Sequence, residues 1–279
     1  MKQTIETHHA LPITHHIFPK IMGIVNVTPD SFSDGGKYNS FKTATEHALK
    51  LMDDGADILD IGGESTRPGA ADVSVDEEIS RVIPVIEAIR KVNSDIPISI
   101  DTTKYHVALK SVEAGATMLN DISALKNDER LGQLAALKNL PLILMHMQGV
   151  PRTMQQNPHH DDVVQDVFKE LSERIEFAKS LGVKEIIADV GIGFGKTVEH
   201  NWQLLKHHAE FLKLGVPLLL GISRKSFIGK SLGIEMASER DIPTALLHAM
   251  LLKSGAGIIR VHDVKIHAQL RELFKKLNA

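Results

Sequence analysis

Four polar residues follow short apolar runs that have the length of buried strands: Asp101, Asn120, Asp189 and Lys225. Their side chains offer complementary hydrogen-bonding chemistry, because two carboxylates accept, an amide both donates and accepts, and an ammonium donates. Such a set suits a flat heterocycle that has N–H groups along one edge and a carbonyl or ring nitrogen along another. We therefore interpret these residues as a candidate binding site for a planar ring.

A second group of residues has the chemistry of an anion site. Asn26, Arg67, Arg260 and His262 are cationic or carry N–H donors. Groups of this kind bind phosphate through charge-assisted hydrogen bonds. Together with the first group they predict one face that holds a planar ring and a phosphate side by side.

Each candidate also has an ordinary structural explanation. Asp101 and Asn120 are suitable N-caps for the helices that follow them, and Met145, at the end of another apolar run, can be core filling. A solvated surface position is the common alternative for three cations, Arg67, Lys225 and Arg260. His146 is interpreted as a buried core histidine outside the site. The prediction of a site rests on the convergence of all these residues.

The elements that would position these residues alternate regularly along the chain. Apolar runs predict strands at residues 21–25, 58–61, 98–100, 117–119, 142–144, 186–188, 218–220 and 258–259. Helical spacing of apolar residues predicts helices at residues 41–54, 75–92, 104–113, 127–138, 161–180, 199–213, 239–253 and 264–277. Eight strand-then-helix units predict an α/β fold, a closed (β/α)8 TIM barrel in a single domain. A doubly wound open sheet is the rival, since periodicity does not reveal closure.

The bulk composition excludes several classes of protein. The 279 residues include 32 Lys and Arg against 35 Asp and Glu, so there is no overall basic bias toward nucleic acid. Cysteine is absent, which excludes disulfides and thiolate metal sites. No apolar run has the roughly 18 residues of a membrane span. We expect a cytoplasmic protein with no nucleic-acid or membrane partner, a flexible leader at residues 1–19 and the barrel at residues 20–279.

The run that ends in Asp189 leads into Gly191, Gly193 and Gly195, at every second position. Glycine permits a positive φ or the close approach of backbone to a bound group. This spacing is neither the GxGxxG of a dinucleotide fold nor that of a P-loop, so it predicts no nucleotide.

Longer motifs around these residues resemble those of the dihydropteroate synthases. They follow the family's order from about Met22 to His262. They are GIVNVTPDSFSDGG at 23–36, DIGGESTRPG at 60–69, SIDT at 99–102, NDIS at 120–123, LMHMQG at 144–149, DVGIGFGK at 189–196, GISRKS at 221–226 and RVH at 260–262.

The resemblance implies a reaction and its partners. The expected reaction joins 6-hydroxymethyl-7,8-dihydropterin diphosphate to 4-aminobenzoate, with release of diphosphate, in folate synthesis. It implies Mg²⁺ as a cofactor and a homodimer as the assembly. Three residues are implied to be catalytic: Asp101, Lys225 and Arg67. Loss of diphosphate leaves a cationic methylene on the pterin, and Asp101 is expected to stabilise that charge in the transition state.

The resemblance also implies binding roles residue by residue. The pterin would be held by Asp101, Asn120, Asp189 and Lys225, with Met145 packing on the ring. Diphosphate would be bound by Arg67, Arg260 and His262, with Asn26 placing Mg²⁺. Thr66 would lie in a second mobile loop, and the aminobenzoate site would be framed by Phe32, Pro68, Phe194 and Ser226.

One departure from the family pattern is Val190, which stands where the family usually has proline, and the loss of a fixed φ there could loosen the glycine loop. Two other functions remain open at this level. A pterin-dependent methyltransferase would share the barrel but have little use for the anion site. A non-catalytic pterin-binding protein would bind the ring without releasing diphosphate.

Overall fold

A computed structural model describes residues 18–28, 36–66 and 69–278, with the backbone alone for residues 36–40. Eight strands pair in sequence order, all in parallel, and the last pairs with the first to close the barrel. The strands are β1 Lys20–Asn26, β2 Ile58–Gly62, β3 Ile98–Asp101, β4 Met118–Asp121, β5 Leu142–Met145, β6 Ile186–Asp189, β7 Leu218–Leu220 and β8 Ala256–Val261. The predicted TIM barrel and its single domain are confirmed, and the open sheet is excluded.

Helices follow the strands and cover the outside of the barrel. They are α1 Gly36–Asp53, α2 Val75–Val92, α3 Tyr105–Ala114, α4 Arg130–Lys138, α5 Val163–Ser180, α6 Val198–Lys206, α7 Ser226–Leu232, α8 Asp241–Leu251 and α9 Val264–Asn278. Short 3₁₀ segments occur at His208–Leu214, Ala237–Arg240 and Leu252–Ser254. Across the described ranges, no helix is long and apolar enough to cross a membrane.

The strands are buried on both faces, as their unbroken apolar runs predict. Side chains that point outward, such as Leu59 and Ile61 of β2, join the large core under the helices. Inward-pointing side chains form a second, smaller apolar cluster across the barrel: Met22, Ile58, Met118, Ile143, Ile187, Leu219 and Ile258. This cluster closes the interior, so a ligand must bind above it, at the rim where the strands end.

The predicted helices occur in the structure, but α1 begins at Gly36 instead of residue 41, and 3₁₀ segments flank α8 within the predicted helix 239–253. Larger differences follow β6 and β7. Residues 199–213 were predicted as one helix, but the structure has α6 followed by a 3₁₀ segment. The short helix α7 was not predicted, because seven residues containing Gly229 do not show a recognisable helical period. This missed helix begins directly after Lys225 and therefore affects the position of a candidate site residue.

Candidate active site

Strand ends bring most of the predicted residues to one rim of the barrel. Asp101 ends β3 and lies in register with Asn120 of β4. Met145 ends β5 and lies in register with Asp189, the last residue of β6. Because all strands are parallel, these side chains share the carboxyl face. The closed barrel therefore brings these strand ends together around one opening.

Arg260 joins opposite parts of this rim. Its Nε donates to Asp60 Oδ2 over 2.6 Å, and its Nη2 donates to Asp101 Oδ2 over 2.9 Å. The amide of Asn120 also donates to the Asp60 carboxylate, over 3.2 and 3.3 Å to its two oxygens. Four side chains from β2, β3, β4 and β8 thus form one hydrogen-bonded network. Arg260, predicted for the anion group, donates to Asp101 of the ring group, so the two groups are not separate.

Asp60 is the residue of this network that sequence reasoning missed. It is fully buried in the middle of β2, two positions beyond Ile58 on the inward side. A buried carboxylate is costly unless it is paired, and Asp60 is paired with Arg260 and Asn120. The signal was present in the sequence, because an aspartate interrupts an otherwise apolar strand.

Asp101 is a weaker acid than an ordinary aspartate. Burial and the nearby carboxylate of Asp60 raise the pKa of Asp101 to about 7, although the Arg260 guanidinium opposes the rise. Asp101 therefore loses its proton less readily than an ordinary aspartate. A positive charge that develops beside it favours its ionised form, and the ionised form stabilises that charge in return.

Asp189 and Lys225 form a second pair of charges on the same rim. Burial raises the pKa of Asp189, while the Gly191 N–H, which donates to its Oδ1 over 2.8 Å, and Lys225 act in the opposite direction. Burial lowers the pKa of Lys225 to about 8 against the attraction of Asp189. The positive charge of Arg260 also lowers the pKa of Lys225, and the negative charge of Asp101 raises it. The pair and the network around Asp60 therefore belong to one electrostatic site.

An apolar wall borders these charges. Met145 and Phe194 are both buried and belong to one cluster of side chains, completed by Ile122, Met147 and Met154. The Lys225 ammonium lies 4.0 Å from the centre of the Phe194 ring, a cation–π contact. A planar ligand at this rim would meet apolar side chains on one side and hydrogen-bonding groups at its edges.

The glycine loop after β6 has the positive φ angles that its composition predicts. Gly191, Gly193 and Gly195 have φ of +67°, +82° and +63°. A Cβ on Gly191 would lie 1.8 Å from the carbonyl oxygen of His146, and one on Gly195 would lie 2.5 Å from that of Gln148. At these two positions the glycines allow close packing against the loop after β5.

Val190 is fully buried in the core at the start of this loop. The loop is held by the N–H of Gly193, which donates to Asn201 Oδ1 over 2.6 Å, and by that of Phe194, which donates to the Gly191 carbonyl over 3.1 Å. These bonds constrain the loop where the family's proline would otherwise fix φ.

The remaining predicted residues lie around the same face. Asn26 ends β1 and is in register with Gly62, and His262 follows β8, where its Nδ1 lies 2.9 Å from Ser223 Oγ. Thr66 lies half-buried in the loop after β2, and Ser226 is the exposed first residue of α7. Arg67, Phe32, Pro68 and residues 1–17 of the predicted leader lie outside the described residues.

The structure also shows that neither Asp101 nor Asn120 is the N-cap of the helix that follows it. The N-cap of α3 is Lys104, not Asp101. Asn120 is engaged with Asp60, whereas its neighbour Asp121 accepts hydrogen bonds from the N–H groups of Ser123 and Leu125. Asp121 is therefore the structural residue of this pair, and Asp101 and Asn120 are left to line the site.

Comparison with known proteins places this arrangement among enzymes of known type. A family model described as pterin binding enzyme matches residues 22–262. A dihydropteroate synthase of Escherichia coli is 48% identical over 261 residues, which cover 92% of this chain and 89% of that protein.

Solved structures give the same result. The dihydropteroate synthase of Xanthomonas albilineans with 4-aminobenzoic acid superimposes with a TM-score of 0.88 at 44% identity, over 94% of each chain. That of Yersinia pestis in a sulfonamide drug complex superimposes with a TM-score of 0.87 at 42% identity, over 97% of this chain and 98% of that one.

Proposed function

The chain belongs to the dihydropteroate synthases, a family of pterin binding enzymes, and from this membership we propose how its residues divide the reaction. It is a transferase that joins 6-hydroxymethyl-7,8-dihydropterin diphosphate to 4-aminobenzoate and releases diphosphate. The single observation that carries the division of roles is the network in which Arg260, Asp60, Asp101 and Asn120 meet at the rim.

The pterin lies between this network and the Asp189–Lys225 pair. Its N–H-rich edge meets the carboxylates of Asp101 and Asp189, and its carbonyl and ring nitrogens meet the donors of Asn120 and Lys225. The thioether of Met145 packs on the ring face. This assignment is supported by the burial of Asn120 and Asp189, because buried polar groups are costly without partners for their free lone pairs or protons.

Asp101 stabilises the charge that develops during the reaction. The bond between the methylene carbon and the diphosphate oxygen breaks, and the electron pair leaves with diphosphate. The cationic methylene that remains is attacked by the amine of 4-aminobenzoate, which then loses a proton. The attraction between the Asp101 carboxylate and the pterin is strongest while the cation exists, so the charge of Asp101 lowers the barrier more than it strengthens substrate binding. Arg260 holds Asp101 in place for this role.

The leaving diphosphate is received by Arg67, His262 and the Arg260 guanidinium. Asn26 would help to hold Mg²⁺ when the ion is bound. In the described parts of the chain, no three His, Cys, Asp or Glu side chains form a metal-binding group. The residues fit an ion held mainly by the substrate, since Mg²⁺ is commonly bound by phosphate oxygens, water and one or two protein oxygens. Mg²⁺ would neutralise the negative charge of the leaving group.

The aminobenzoate site adjoins the apolar wall. Phe194 and Lys225, in cation–π contact, form one side of it, and the exposed hydroxyl of Ser226 and the loop with Thr66 border it. The ammonium of Lys225 suits the carboxylate of aminobenzoate or the electron-rich ring, while its neighbour Asp189 orients it.

A homodimer is proposed from the exposed face of α8. Ile242, Leu246 and Met250 recur every four residues and are 65%, 62% and 80% exposed, so they form one apolar stripe. The neighbouring α9 adds Leu273 and Leu277 at the same spacing. Exposed stripes of this kind commonly mark subunit interfaces. The predicted cytoplasmic location rests on composition and stays a prediction.

A diphosphate-release assay tests the proposed function. Purified protein is given the pterin diphosphate with and without 4-aminobenzoate and Mg²⁺, and the dihydropteroate formed is quantified beside the diphosphate. We expect equal amounts of both products, formed only when all components are present. Pterin binding without stoichiometric release of diphosphate would favour the non-catalytic alternative instead.

A further inference from the structure

A lysine and a histidine form a buried pair that none of the roles above uses. Lys196 is 3% exposed and ends the glycine loop after β6, and His146 is 2% exposed and follows β5. Lys196 Nζ lies 2.9 Å from His146 Nδ1 and donates to the Phe194 carbonyl oxygen over 3.0 Å. The ammonium therefore ties the two loops together at the backbone of Phe194, the aromatic residue of the site.

The chemistry of the pair fixes which partner donates. Burial and the positive charge of Lys196 keep the pKa of His146 far below its usual value, so its imidazole is neutral. A neutral imidazole accepts at one nitrogen and donates at the other. Nδ1 accepts from Lys196, which leaves the ring proton on Nε2, facing the Glu170 carboxylate 3.6 Å away.

Several charges surround Lys196 and decide its ionisation. Burial lowers the pKa of Lys196 to about 7, Asp189 and Glu170 act to raise it, and Lys225 and Lys126 act to lower it. His160 packs against the far side of His146, with ring centres 5.8 Å apart. A buried lysine destabilises the folded protein unless its ammonium keeps its hydrogen-bond partners.

The two loops are in tight contact at the same place. The Gly191 backbone touches the His146 carbonyl so closely that no Cβ fits between them. Gln155 donates to the Gly193 carbonyl oxygen over 2.6 Å, at the exposed edge of the loop. Lys196 is the buried hydrogen-bond donor that links the two loops. It donates to the backbone carbonyl of Phe194, whose ring contacts the Lys225 ammonium.

We propose that Lys196 and His146 are positioning residues that clamp the glycine loop to the loop after β5 and thereby set the Phe194 ring against Lys225 for binding of 4-aminobenzoate. The inference rests on the proposed function in one respect, namely that Phe194 borders the aminobenzoate site. The clamp acts through Phe194, so its loss affects the second substrate more than the pterin, most of whose proposed contacts come from the strand-end residues Asp101, Asn120, Asp189 and Met145.

The test compares variants that break the clamp with one that keeps it. Lys196→Met removes the donor, and His146→Leu removes the acceptor. His146→Asn places an acceptor oxygen near the position of Nδ1. Lys213→Met, at a side chain that is 71% exposed, is the control for loss of a lysine. Three quantities are compared with the wild type: the Michaelis constant for aminobenzoate, the dissociation constant for the pterin diphosphate and the thermal midpoint.

We expect the Michaelis constant for aminobenzoate to rise about tenfold in Lys196→Met and His146→Leu, with pterin affinity changed less than about twofold. His146→Asn recovers most of the loss. The double variant is little worse than either single one, because both remove the same contact. An unchanged Michaelis constant in folded Lys196→Met overturns the proposal, as does an equal weakening of both substrates or a His146→Asn variant no better than His146→Leu.

Hydrogen exchange separates this proposal from the proposed function. Amides of residues 191–195 are expected to exchange faster in Lys196→Met than in the wild type or Lys213→Met. If the wild type released no diphosphate, the proposed function would fail while this measurement still reported on the clamp. Unchanged exchange in the loop would overturn the clamp even in a fully active enzyme.

Discussion

The Nη2 of Arg260 lies 2.9 Å from Oδ2 of Asp101, which joins the last strand of the barrel to the third. The same guanidinium is held on its other side by the fully buried Asp60. One guanidinium is thus shared by two carboxylates and does not neutralise both. We expect the remaining negative charge of Asp101 to stabilise the cation that forms in the proposed reaction.

Replacing the Asp101 carboxylate tests its electrostatic role directly. Asp101→Asn keeps the size of the side chain and one acceptor oxygen but removes its charge. We expect kcat to fall about 100-fold, with pterin affinity changed much less, because the charge matters mainly in the transition state. Asp161→Asn, at a side chain that is 97% exposed, is the control and should leave kcat unchanged. Near-full turnover of Asp101→Asn, with pterin binding intact, would refute the role.

The pKa values of two site residues predict a bell-shaped pH profile of kcat/KM. Asp101 must be ionised, and with a pKa of about 7 its ionised fraction rises as the pH rises through that value. Lys225 must be protonated, and with a pKa of about 8 its ammonium is lost above that value. Activity should therefore rise through about pH 7 and decline above about pH 8. Asp101→Asn should lose the acidic limb and keep the basic one, and an unchanged acidic limb would assign it to another group.

Two glycines with similar φ offer a matched test of loop packing. Gly191 and Gly215 have φ of +67° and +72°, but a Cβ meets the His146 carbonyl at 1.8 Å in the first case and nothing within 4 Å in the second. Gly215→Ala should cost about 1 kcal/mol from backbone strain alone. Gly191→Ala should lower the free energy of unfolding by about 3 kcal/mol or more, because the loops must separate. Denaturant unfolding measures both, and equal costs would contradict the close packing.

The apolar stripe on α8 predicts the assembly. Leu246→Glu places a charge in the middle of the stripe and should convert a dimer into a monomer, as measured by light scattering after size-exclusion chromatography. Leu137→Glu is the matched control, since Leu137 is 80% exposed on α4, away from the stripe. A wild type that is itself monomeric, or a dimer that survives Leu246→Glu, would show that α8 is not the interface.

Much of the site was predictable because strand ends are encoded locally. An apolar run followed at once by Asp101, or by Asp189, identifies both the strand and the residue that emerges from it. Asp60 was missed for the opposite reason, since it lies inside a strand, where a carboxylate is unexpected unless its partner is known. The helix α7 was missed because it is too short to show a period.

The sequence by itself determined the order of the eight strands, most of the helices between them, the polar residues at several strand ends and, through its motifs, the family. Only the tertiary structure decided which side chains meet. Arg260 reaches Asp60 and Asp101 across 200 and 159 residues of chain, and that contact exists only because β8 pairs with β1 and closes the barrel. Hydrophobic periodicity extends over a few residues and carries no information on the closure of the barrel. The raised pKa of Asp101 depends on that closure, and the clamp between Lys196 and His146 depends on packing between two separate loops.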